Sequence, residues 1–207
     1  MEITKTILIG GGQHAQVVLD CLHASGADVV AIFDAAKSGS LFGVNYLREY
    51  SASFETDARA IISIGENRTR KRVAATVSHG FTNAIHHSVL LSPSVSIGVG
   101  NMILHGVIIQ ALARVGNHVI VNTGAQVDHD CVLGDFVHVA PGAVLCGSVS
   151  VGEGTLIGAG ATVPPGRKIG SWAIIGAGAV VVEDVPDHAV VVGNPGRVIR
   201  YTPKDQI

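Results

Sequence analysis

The sequence predicts a two-part fold: an α/β N-terminal domain with a small Rossmann-like parallel sheet, followed by a left-handed parallel β-helix. Two observations lead to this prediction. Between residues 85 and 181 an aliphatic residue recurs at every sixth position without a skip, and a second, mostly small or β-branched series follows four residues behind it. Ahead of that region the repeat is missing, and short apolar segments alternate with helical ones. A period of six is the hexapeptide spacing of a parallel β-helix.

The repeat also gives each residue a position around the predicted prism. Three hexads make one triangular coil, so residues eighteen apart stack on one another. Asn83, Asn101 and Arg167 are the exceptions in the small-residue series. The period ends at Val185-Pro186-Asp187. We therefore expect a β-helix over residues 81–186 and a tail over 187–207.

The first 80 residues read as strand–helix–strand with glycine-rich turns, which is typical of a parallel sheet. Residues 6–9 form an apolar segment that runs into Gly10-Gly11-Gly12-Gln13-His14, and a helix is expected to follow and end near residue 26. Residues 29–33 predict a second strand and residues 60–64 a third, with a further helix to about residue 78. Ligands bind at the carboxyl ends of such strands.

Composition excludes several classes of function. The net charge is -2 and the sequence has no run of basic residues, which argues against nucleic-acid binding. The absence of a leader and of an apolar stretch of about 18 residues predicts a soluble, cytoplasmic protein without membrane insertion. Three cysteines without paired spacing argue against a disulfide framework.

The glycine-rich turn at residues 10–14 is the first candidate site. Its backbone could approach a phosphate closely, with helix N-terminal amides directed at the anion. A nicotinamide dinucleotide, another nucleotide diphosphate and a purely structural turn are the alternatives. The domain is about half the size that a dinucleotide needs, so a nucleotide-sugar is favoured. The candidate nucleotide-sugar ligands are Gly11, Gly12, Gln13, His14, Asp34, Gly65, Asn67 and Arg68.

His129 is the candidate general base. It follows the inward Val127 by two positions, so its side chain should leave the prism at a corner. Gly147 lies eighteen residues on, which puts an exposed backbone N–H about 5 Å from the imidazole. A base beside an amide donor suits acyl transfer, in which the N–H stabilises the oxyanion. Asp130 can hold the other ring nitrogen.

An acyl carrier needs a groove, and two stretches of Gly and Ala could supply one. Residues 158–161 and 176–179 are both Gly-Ala-Gly-Ala and lie eighteen apart, so we expect them to stack beside Gly147. His138, nine residues after His129, could help to position the acyl group. The candidate acetyl-CoA ligands are His138, Gly147, Ala159, Gly160, Ala177, Arg167 and Lys168. The remaining histidines are irregularly spaced, so no metal site is expected.

These residues together resemble the two-domain hexapeptide-repeat sugar acetyltransferases of the sialic-acid O-acetyltransferase-like and nucleotide-amino-sugar N-acetyltransferase family. The resemblance extends from end to end. Its motifs are Ile9-Gly10-Gly11-Gly12-Gln13-His14, Ile64-Gly65-Glu66-Asn67-Arg68, Asn122-Thr123-Gly124-Ala125, Asp128-His129-Asp130-Cys131, His138-Val139-Ala140-Pro141-Gly142 and Val192-Gly193-Asn194-Pro195-Gly196. Gln13 and Gly196 depart from residues common in the family.

The resemblance implies that His129 is the general base, that Gly147 faces the thioester carbonyl and that the N-terminal domain binds the nucleotide-sugar. It also implies a homotrimer with acetyl-CoA between adjacent β-helices. The leading hypothesis is N-acetylation of the 4-amino group of a nucleotide-diphospho-4-amino-4,6-dideoxysugar by direct attack on the thioester. O-acetylation of a sialic acid or another sugar hydroxyl, and a non-catalytic trimeric binding protein, are the alternatives.

Overall fold

The computed structural model describes residues 5–203. The N-terminal part contains, in chain order, β1 (Lys5–Ile9), α1 (Gln13–Ala24), β2 (Asp28–Phe33), β3 (Ser40–Leu41), β4 (Val44–Leu47), β5 (Arg59–Ile62) and α2 (Asn67–Ala74). Its sheet has the order β3-β4-β2-β1-β5, in which only β3 is antiparallel to its neighbour. Strands β1, β2 and β5 are the three that the apolar segments predict, and most of their side chains are buried.

Two details of this part differ from the sequence prediction. The sequence predicts no strand or helix between Asp34 and residue 60, but β3 and β4 form a hairpin there that extends the sheet beside β2. Helix α2 ends at Ala74 instead of near residue 78. The Thr76 hydroxyl donates to the Val73 carbonyl at 2.8 Å, a side-chain bond that competes with continuation of the helix.

The repeat region forms a parallel β-helix of two-residue strands. In chain order they are β6 (Ala84–Ile85), β7 (Leu90–Leu91), β8 (Ser96–Ile97), β9 (Met102–Ile103), β10 (Ile108–Ile109), β11 (Arg114–Val115), β12 (Ile120–Val121), β13 (Gln126–Val127), β14 (Val132–Leu133), β15 (His138–Val139), β16 (Val144–Leu145), β17 (Ser150–Val151), β18 (Leu156–Ile157), β19 (Thr162–Val163), β20 (Lys168–Ile169) and β21 (Ile174–Ile175). Two longer strands follow, β22 (Ala189–Val192) and β23 (Arg197–Tyr201).

Every third strand belongs to the same face, and the register advances by eighteen residues per coil. His138 pairs with Leu156, for example, and Gln126 with Val144. The face made by β6, β9, β12, β15, β18 and β21 continues into β22 and the antiparallel β23. We call it the docking face. The predicted fold class, a parallel-sheet domain followed by a left-handed β-helix, is confirmed.

The core of the prism consists of the two hexapeptide series. From Ile103 to Val181 the aliphatic positions are at most 5% exposed, and the small residues behind them fill the corners. Burying Val and Ile on every rung stabilises the prism by roughly 1.5–3 kcal/mol for each side chain. The exceptional Asn83 and Asn101 have a structural role: Asn83 Oδ1 accepts the Asn101 N–H at 2.8 Å, and Asn101 Oδ1 accepts the Val119 N–H at 2.7 Å.

The N-terminal domain packs on the lower part of the docking face. Leu22 of α1 shares one buried apolar cluster with Ala84, Met102 and Ile120, which project outward from β6, β9 and β12. His138, Leu156 and Ile174 continue the same outward row above this contact and are only half-buried. Within residues 5–203 no helix has the length and apolar character needed to cross a membrane.

Candidate active site

His129 and Asp130 form a paired imidazole and carboxylate at an exposed corner of the β-helix. The Asp130 Oδ2 atom lies 2.8 Å from His129 Nδ1, which leaves Nε2 directed away from the pair. Asp128 fixes the backbone of the same turn, because its Oδ1 accepts the His129 N–H at 2.8 Å. Asp130 has a φ of 59°, a left-handed conformation that Asp tolerates better than most residues. The local conformation of this turn therefore positions the carboxylates of Asp128 and Asp130 around His129.

This environment strengthens His129 as a base. The hydrogen bond to Asp130 raises the pKa of His129 above its usual value, and the negative charge of Asp128 adds to the effect. The side chains of His129 and Asp130 are 57% and 49% exposed, so a substrate can reach them. A neutral imidazole whose conjugate acid is stabilised by a carboxylate is suited to removing a proton from an attacking amine.

Gly147 lies directly above His129, as the eighteen-residue spacing predicts. A Cβ atom on Gly147 would lie 2.5 Å from both Cε1 and Nε2 of the imidazole, so only glycine lets the ring pack on the backbone here. The glycine is buried, whereas the sequence suggested an open amide. Its carbonyl accepts the Gly166 N–H at 2.9 Å, and among residues 5–203 its own N–H has no acceptor. That N–H remains available to an oxyanion beside the ring.

The Gly-Ala stretches stack, but not beside Gly147. Residues 158–161 and 176–179 follow strands of the docking face, whereas His129 and Gly147 belong to the turns that follow β13 and β16. We call these the Gly-Ala corner and the His129 corner. The expectation of one continuous groove within a chain is wrong, because each hexad advances the chain to the next corner. Ala159 and Gly160 are thus one face away from the imidazole.

His138 is on the opposite side of the prism from His129. Nine residues are half of an eighteen-residue coil, so the two side chains project in opposite directions. His138 lies on the docking face, where its ring centroid is 6.2 Å from that of His14 and its Nε2 is 3.2 Å from the Asn122 amide nitrogen. Within one chain, His138 therefore does not lie beside His129. It faces the N-terminal domain.

The glycine-rich turn forms an open helix N-terminus at the carboxyl end of β1. Gly12 is the N-cap of α1 with φ −73°, no side chain caps the helix, and a Cβ atom on Gly12 would meet only open space. Gly12 and Gln13 are exposed. The first amides of a helix lack internal acceptors and carry the positive end of the helix dipole. This end of α1 can receive a phosphate.

Asp34 shapes this turn from the end of β2. Its Oδ2 accepts the Gly11 N–H at 2.7 Å and its Oδ1 accepts the Ala36 N–H at 2.9 Å. Gly11 is required because a Cβ atom at this position would lie 2.6 Å from the Tyr46 ring and 3.0 Å from the Asp34 Cβ atom. Each carboxylate oxygen keeps a second lone-pair direction for a ligand hydroxyl.

His14 and His138 are neutral imidazoles on the boundary between the domains. Burial and the positive charge of Arg70 lower the pKa of His14 to about 4. Burial, Arg70 and His14 lower the pKa of His138 to about 3. The His14 Nε2 atom is buried and has no hydrogen-bond partner among residues 5–203. Such a nitrogen costs free energy unless a ligand or water meets it.

The second helix N-terminus, that of α2, is closed. Glu66 accepts the N–H groups of Arg68 and Thr69 at 2.9 and 2.6 Å. Although burial acts to raise it, these bonds hold the pKa of Glu66 below its usual range. Asn67 donates to the Gly154 carbonyl and accepts from Arg70, so its amide joins the two domains. The expectation that Asn67 binds the nucleotide-sugar does not fit this position.

Gly65 and Arg68 border a cavity of about 250 Å³ between α2, the docking face and Thr202. Its floor is Leu156 and Ile174, and Trp172 forms a wall. The Arg68 guanidinium lies 4.7 Å from the centroid of the Trp172 ring, within the range of a cation–π contact.

Two cationic residues expected to bind the coenzyme lie on the His129 corner or just after it. Arg167 occupies the small-residue position above Val149, and its Nε is buried without a partner among the described residues. Lys168 begins β20 with an exposed side chain. At the Gly-Ala corner, the N–H groups of Ala159 and Ala177 have no acceptor within residues 5–203. These features fit a ligand that offers both anions and amide groups.

Comparisons with known proteins agree with this geometry. The PglD N-terminal domain family matches residues 5–77, and the bacterial transferase hexapeptide family matches residues 148–182. A search among curated proteins gives no significant match.

Several solved structures resemble the whole chain. A histidine-to-asparagine variant of perosamine N-acetyltransferase from Caulobacter crescentus, in complex with CoA and GDP-perosamine, is 41% identical with a TM-score of 0.91, covering 95% of this chain and 97% of that one. The acetyltransferase domain of PglB from Neisseria gonorrhoeae, in complex with acetyl coenzyme A, is 35% identical with a TM-score of 0.88, covering 94% and 98%. WeeI from Acinetobacter baumannii is 26% identical with a TM-score of 0.84, covering 95% and 100%. The chain belongs to the two-domain hexapeptide-repeat sugar acetyltransferases, which confirms the enzyme class predicted from its sequence.

Proposed function

We propose that this protein transfers the acetyl group of acetyl-CoA to the 4-amino group of a nucleotide-diphospho-4-amino-4,6-dideoxysugar. The observation that carries the proposal is the His129–Asp130 pair packed on Gly147. This chain is also 41% identical to a perosamine N-acetyltransferase that was solved with CoA and GDP-perosamine, and the match covers 97% of that protein. GDP-perosamine is therefore the first acceptor to test.

In the proposed reaction His129 is the general base. Its neutral Nε2 takes a proton from the sugar amine as the nitrogen attacks the thioester carbonyl. The Gly147 N–H donates to the oxyanion of the tetrahedral intermediate. The C–S bond then breaks, and the proton passes from the imidazolium to the departing thiolate. The new C–N bond makes the amide, so no acyl-enzyme is required and Cys146 has no catalytic role.

The acceptor half of the site is proposed at the N-terminal domain. The uncapped end of α1 at Gly12 and Gln13 would bind the diphosphate, with Asp34 near the ribose or base. The unpartnered Nε2 of His14 would meet a hydroxyl of the sugar. Arg68 at the closed end of α2 is exposed to the adjoining cavity and is a weaker candidate.

A composite site in a homotrimer is proposed to join the two halves. Within one chain the His129 corner lies opposite the docking face, so His129 and His138 cannot act on the same molecule. In a closed trimer the His129 corner of one chain can face the Gly-Ala corner and docking face of the next. The pantetheine arm would then lie against Ala159, Gly160 and Ala177, with Arg167 and Lys168 near its phosphates.

The activity test is acetylation of purified GDP-perosamine by acetyl-CoA, with product mass and thiol release as readouts. An N-acetyl product supports the proposal. Matched UDP- and dTDP-linked 4-amino sugars identify the base. Exclusive transfer to a hydroxyl of sialic acid would instead establish the O-acetyltransferase alternative. Failure to bind acetyl-CoA at millimolar concentration would favour a non-catalytic binding protein.

The base assignment has its own test. His129→Ala should lower kcat by about 10²–10⁴-fold, the range that a general base contributes. The side chain is exposed, so the unfolding temperature should stay unchanged. Turnover near that of the wild type in a folded variant would contradict the assignment.

A further inference from the structure

We propose that Arg70 is the positioning residue of the acceptor half-site: from the boundary between the domains it holds the Gly65 turn, and with it His14 and His138, in fixed register with the β-helix. This inference rests on the proposed function, because it concerns the site that would bind the amino-sugar nucleotide. In the sequence Arg70 is one of several basic residues in a short helix, and nothing there distinguishes it from Arg68, Lys71 or Arg72.

Arg70 is completely buried and uses its whole guanidinium to join the two domains. On the side of the N-terminal domain it donates to the carbonyls of Ile64 and Gly65 at 3.0 and 3.1 Å and to Asn67 Oδ1 at 2.8 Å. On the side of the β-helix it donates to the carbonyls of His118 and Phe136 at 2.8 and 2.9 Å. Those two carbonyls lie eighteen residues apart, on successive coils. One side chain thereby fixes both the height and the rotation of α2 against the prism.

The Gly65 turn transmits this position to the histidines. A Cβ atom added to Gly65 would lie 3.7 Å from the His14 ring, so the turn packs against this imidazole. The Gly65 backbone also hydrogen-bonds His138. His14 begins α1, beside the open helix end, whereas His138 belongs to the β-helix. The turn thus touches one imidazole from each domain. A shift of Arg70 would change the distance between the phosphate-binding end of α1 and the docking face.

Arg70 also sets the charge at this boundary. Burial is the larger cause of the low pKa values of His14 and His138, and the positive charge of Arg70 lowers both further. Burial lowers the pKa of Arg70 itself to about 9, so it stays charged at neutral pH. Two further charged residues, Glu66 at the N-cap of α2 and Arg68 in its first turn, border the same cavity as His138. With Arg70 present, both imidazoles remain neutral and able to accept a hydrogen bond from a sugar hydroxyl.

The test compares Arg70→Met, Arg70→Lys and, as control, Arg72→Met. The Arg72 side chain is exposed and donates to Thr69 Oγ1 of its own helix. Arg70→Met removes charge and hydrogen bonds, so NMR titration should find higher pKa values for His14 and His138. Arg70→Lys keeps the charge but can satisfy at most three acceptors. It should raise the KM for the nucleotide-sugar about tenfold, the loss expected for weakened charged hydrogen bonds, with the KM for acetyl-CoA unchanged. Arg72→Met should change neither.

Unchanged histidine titration in a folded Arg70→Met protein would overturn the electrostatic part. If Arg70→Met fails to fold, Arg70→Lys decides: two KM values that both equal the wild type, or that rise together, would overturn the positioning role. If the wild-type protein acetylates no amino-sugar nucleotide, the proposed function fails instead. The histidine titration still reports on Arg70 in that case.

Discussion

His129 depends on a carboxylate and on a missing Cβ atom for the role proposed here. Asp130 orients the ring and raises its pKa, and Gly147 gives the ring room to pack on the backbone. The His129 imidazole and the Asp130 carboxylate contribute little to the fold, because both are about half exposed. Substitutions at these positions can therefore separate catalysis from stability.

The pH dependence of the reaction should follow Asp130. His129 must be neutral to act as a base, so activity falls as the pH drops through its raised pKa. Asp130→Asn removes the negative partner but keeps a residue that tolerates a positive φ. The pKa of His129 then decreases, and the acid limb of the kcat/KM profile should move to lower pH with a lower plateau, because the weaker base removes the proton less well. An acid limb at the wild-type pH would contradict this assignment.

Gly147→Ala should impair catalysis without unfolding the protein. The added methyl group would overlap the His129 ring, and the ring can rotate away because its side chain is exposed. We expect kcat/KM to fall on the order of 100-fold, the cost of a misplaced catalytic group. The free energy of unfolding should fall by about 1 kcal/mol, because Gly147 is buried but the ring that would meet the methyl group can move into solvent. In a His129→Ala background the same substitution should have little further effect on kcat/KM, and an additive loss would show that Gly147 acts independently of the ring.

The sequence predicts the residues at this corner well and misses those at the domain boundary. The spacing of eighteen places Gly147 on His129 without any knowledge of coordinates, because a β-helix converts sequence separation into height and rotation. Arg70 and Asn67 gain their roles only when two domains meet. No local pattern reports which of four basic residues in a helix will be buried by a distant segment.

The N-termini of the two helices in the N-terminal domain differ in whether a side chain caps them. The end of α1 is open at Gly12, whereas the end of α2 is capped by the Glu66 carboxylate. An anion is stabilised at the first end and repelled at the second. This difference supports the proposal that the phosphates bind at α1, although a turn containing glycine precedes each helix in the sequence.

Gly12→Asp and Gly12→Asn form a matched pair that tests the open end of α1. The φ of Gly12 is compatible with either side chain, and the space beside it is empty. Both residues cap helices well and should stabilise the protein by a few tenths of a kcal/mol. Only Asp adds a negative charge where the diphosphate is expected. Calorimetry should find that Gly12→Asp binds the nucleotide-sugar about tenfold more weakly than Gly12→Asn. Equal affinities would place the phosphates elsewhere.

Over the whole molecule, the halves of the proposed site lie on opposite sides of one chain. The sequence motifs predicted both halves, since each is a local pattern. Their separation by half a coil follows from the spacing of nine between His129 and His138, because a full coil takes eighteen residues. The hairpin of β3 and β4 was missed because its strands are only two and four residues long, too short to show a periodic pattern.

Hybrid trimers should show whether neighbouring chains complete each other. His129→Ala and His138→Ala chains are expected to be inactive alone. If each site combines His129 of one chain with His138 of the next, random mixing of equal amounts leaves about a quarter of the sites intact. Hybrids purified from co-expressed, differently tagged chains exclude the inactive homotrimers, so about a third of their sites should be intact and active. Activity no higher than that of the separate variants would mean that each site lies within one chain.

The stacking interval of eighteen residues also limits how this protein can change in length. Adding six residues below His129 would turn everything above by a third of a revolution and carry the imidazole to a different face. Adding eighteen would preserve every face and only raise the upper rungs by one strand spacing, about 4.8 Å. Even that change is restricted, because Arg70 hydrogen-bonds two successive coils and Asn67 hydrogen-bonds a third. Growth of the prism by whole turns is therefore tolerable only above the level of Gly154.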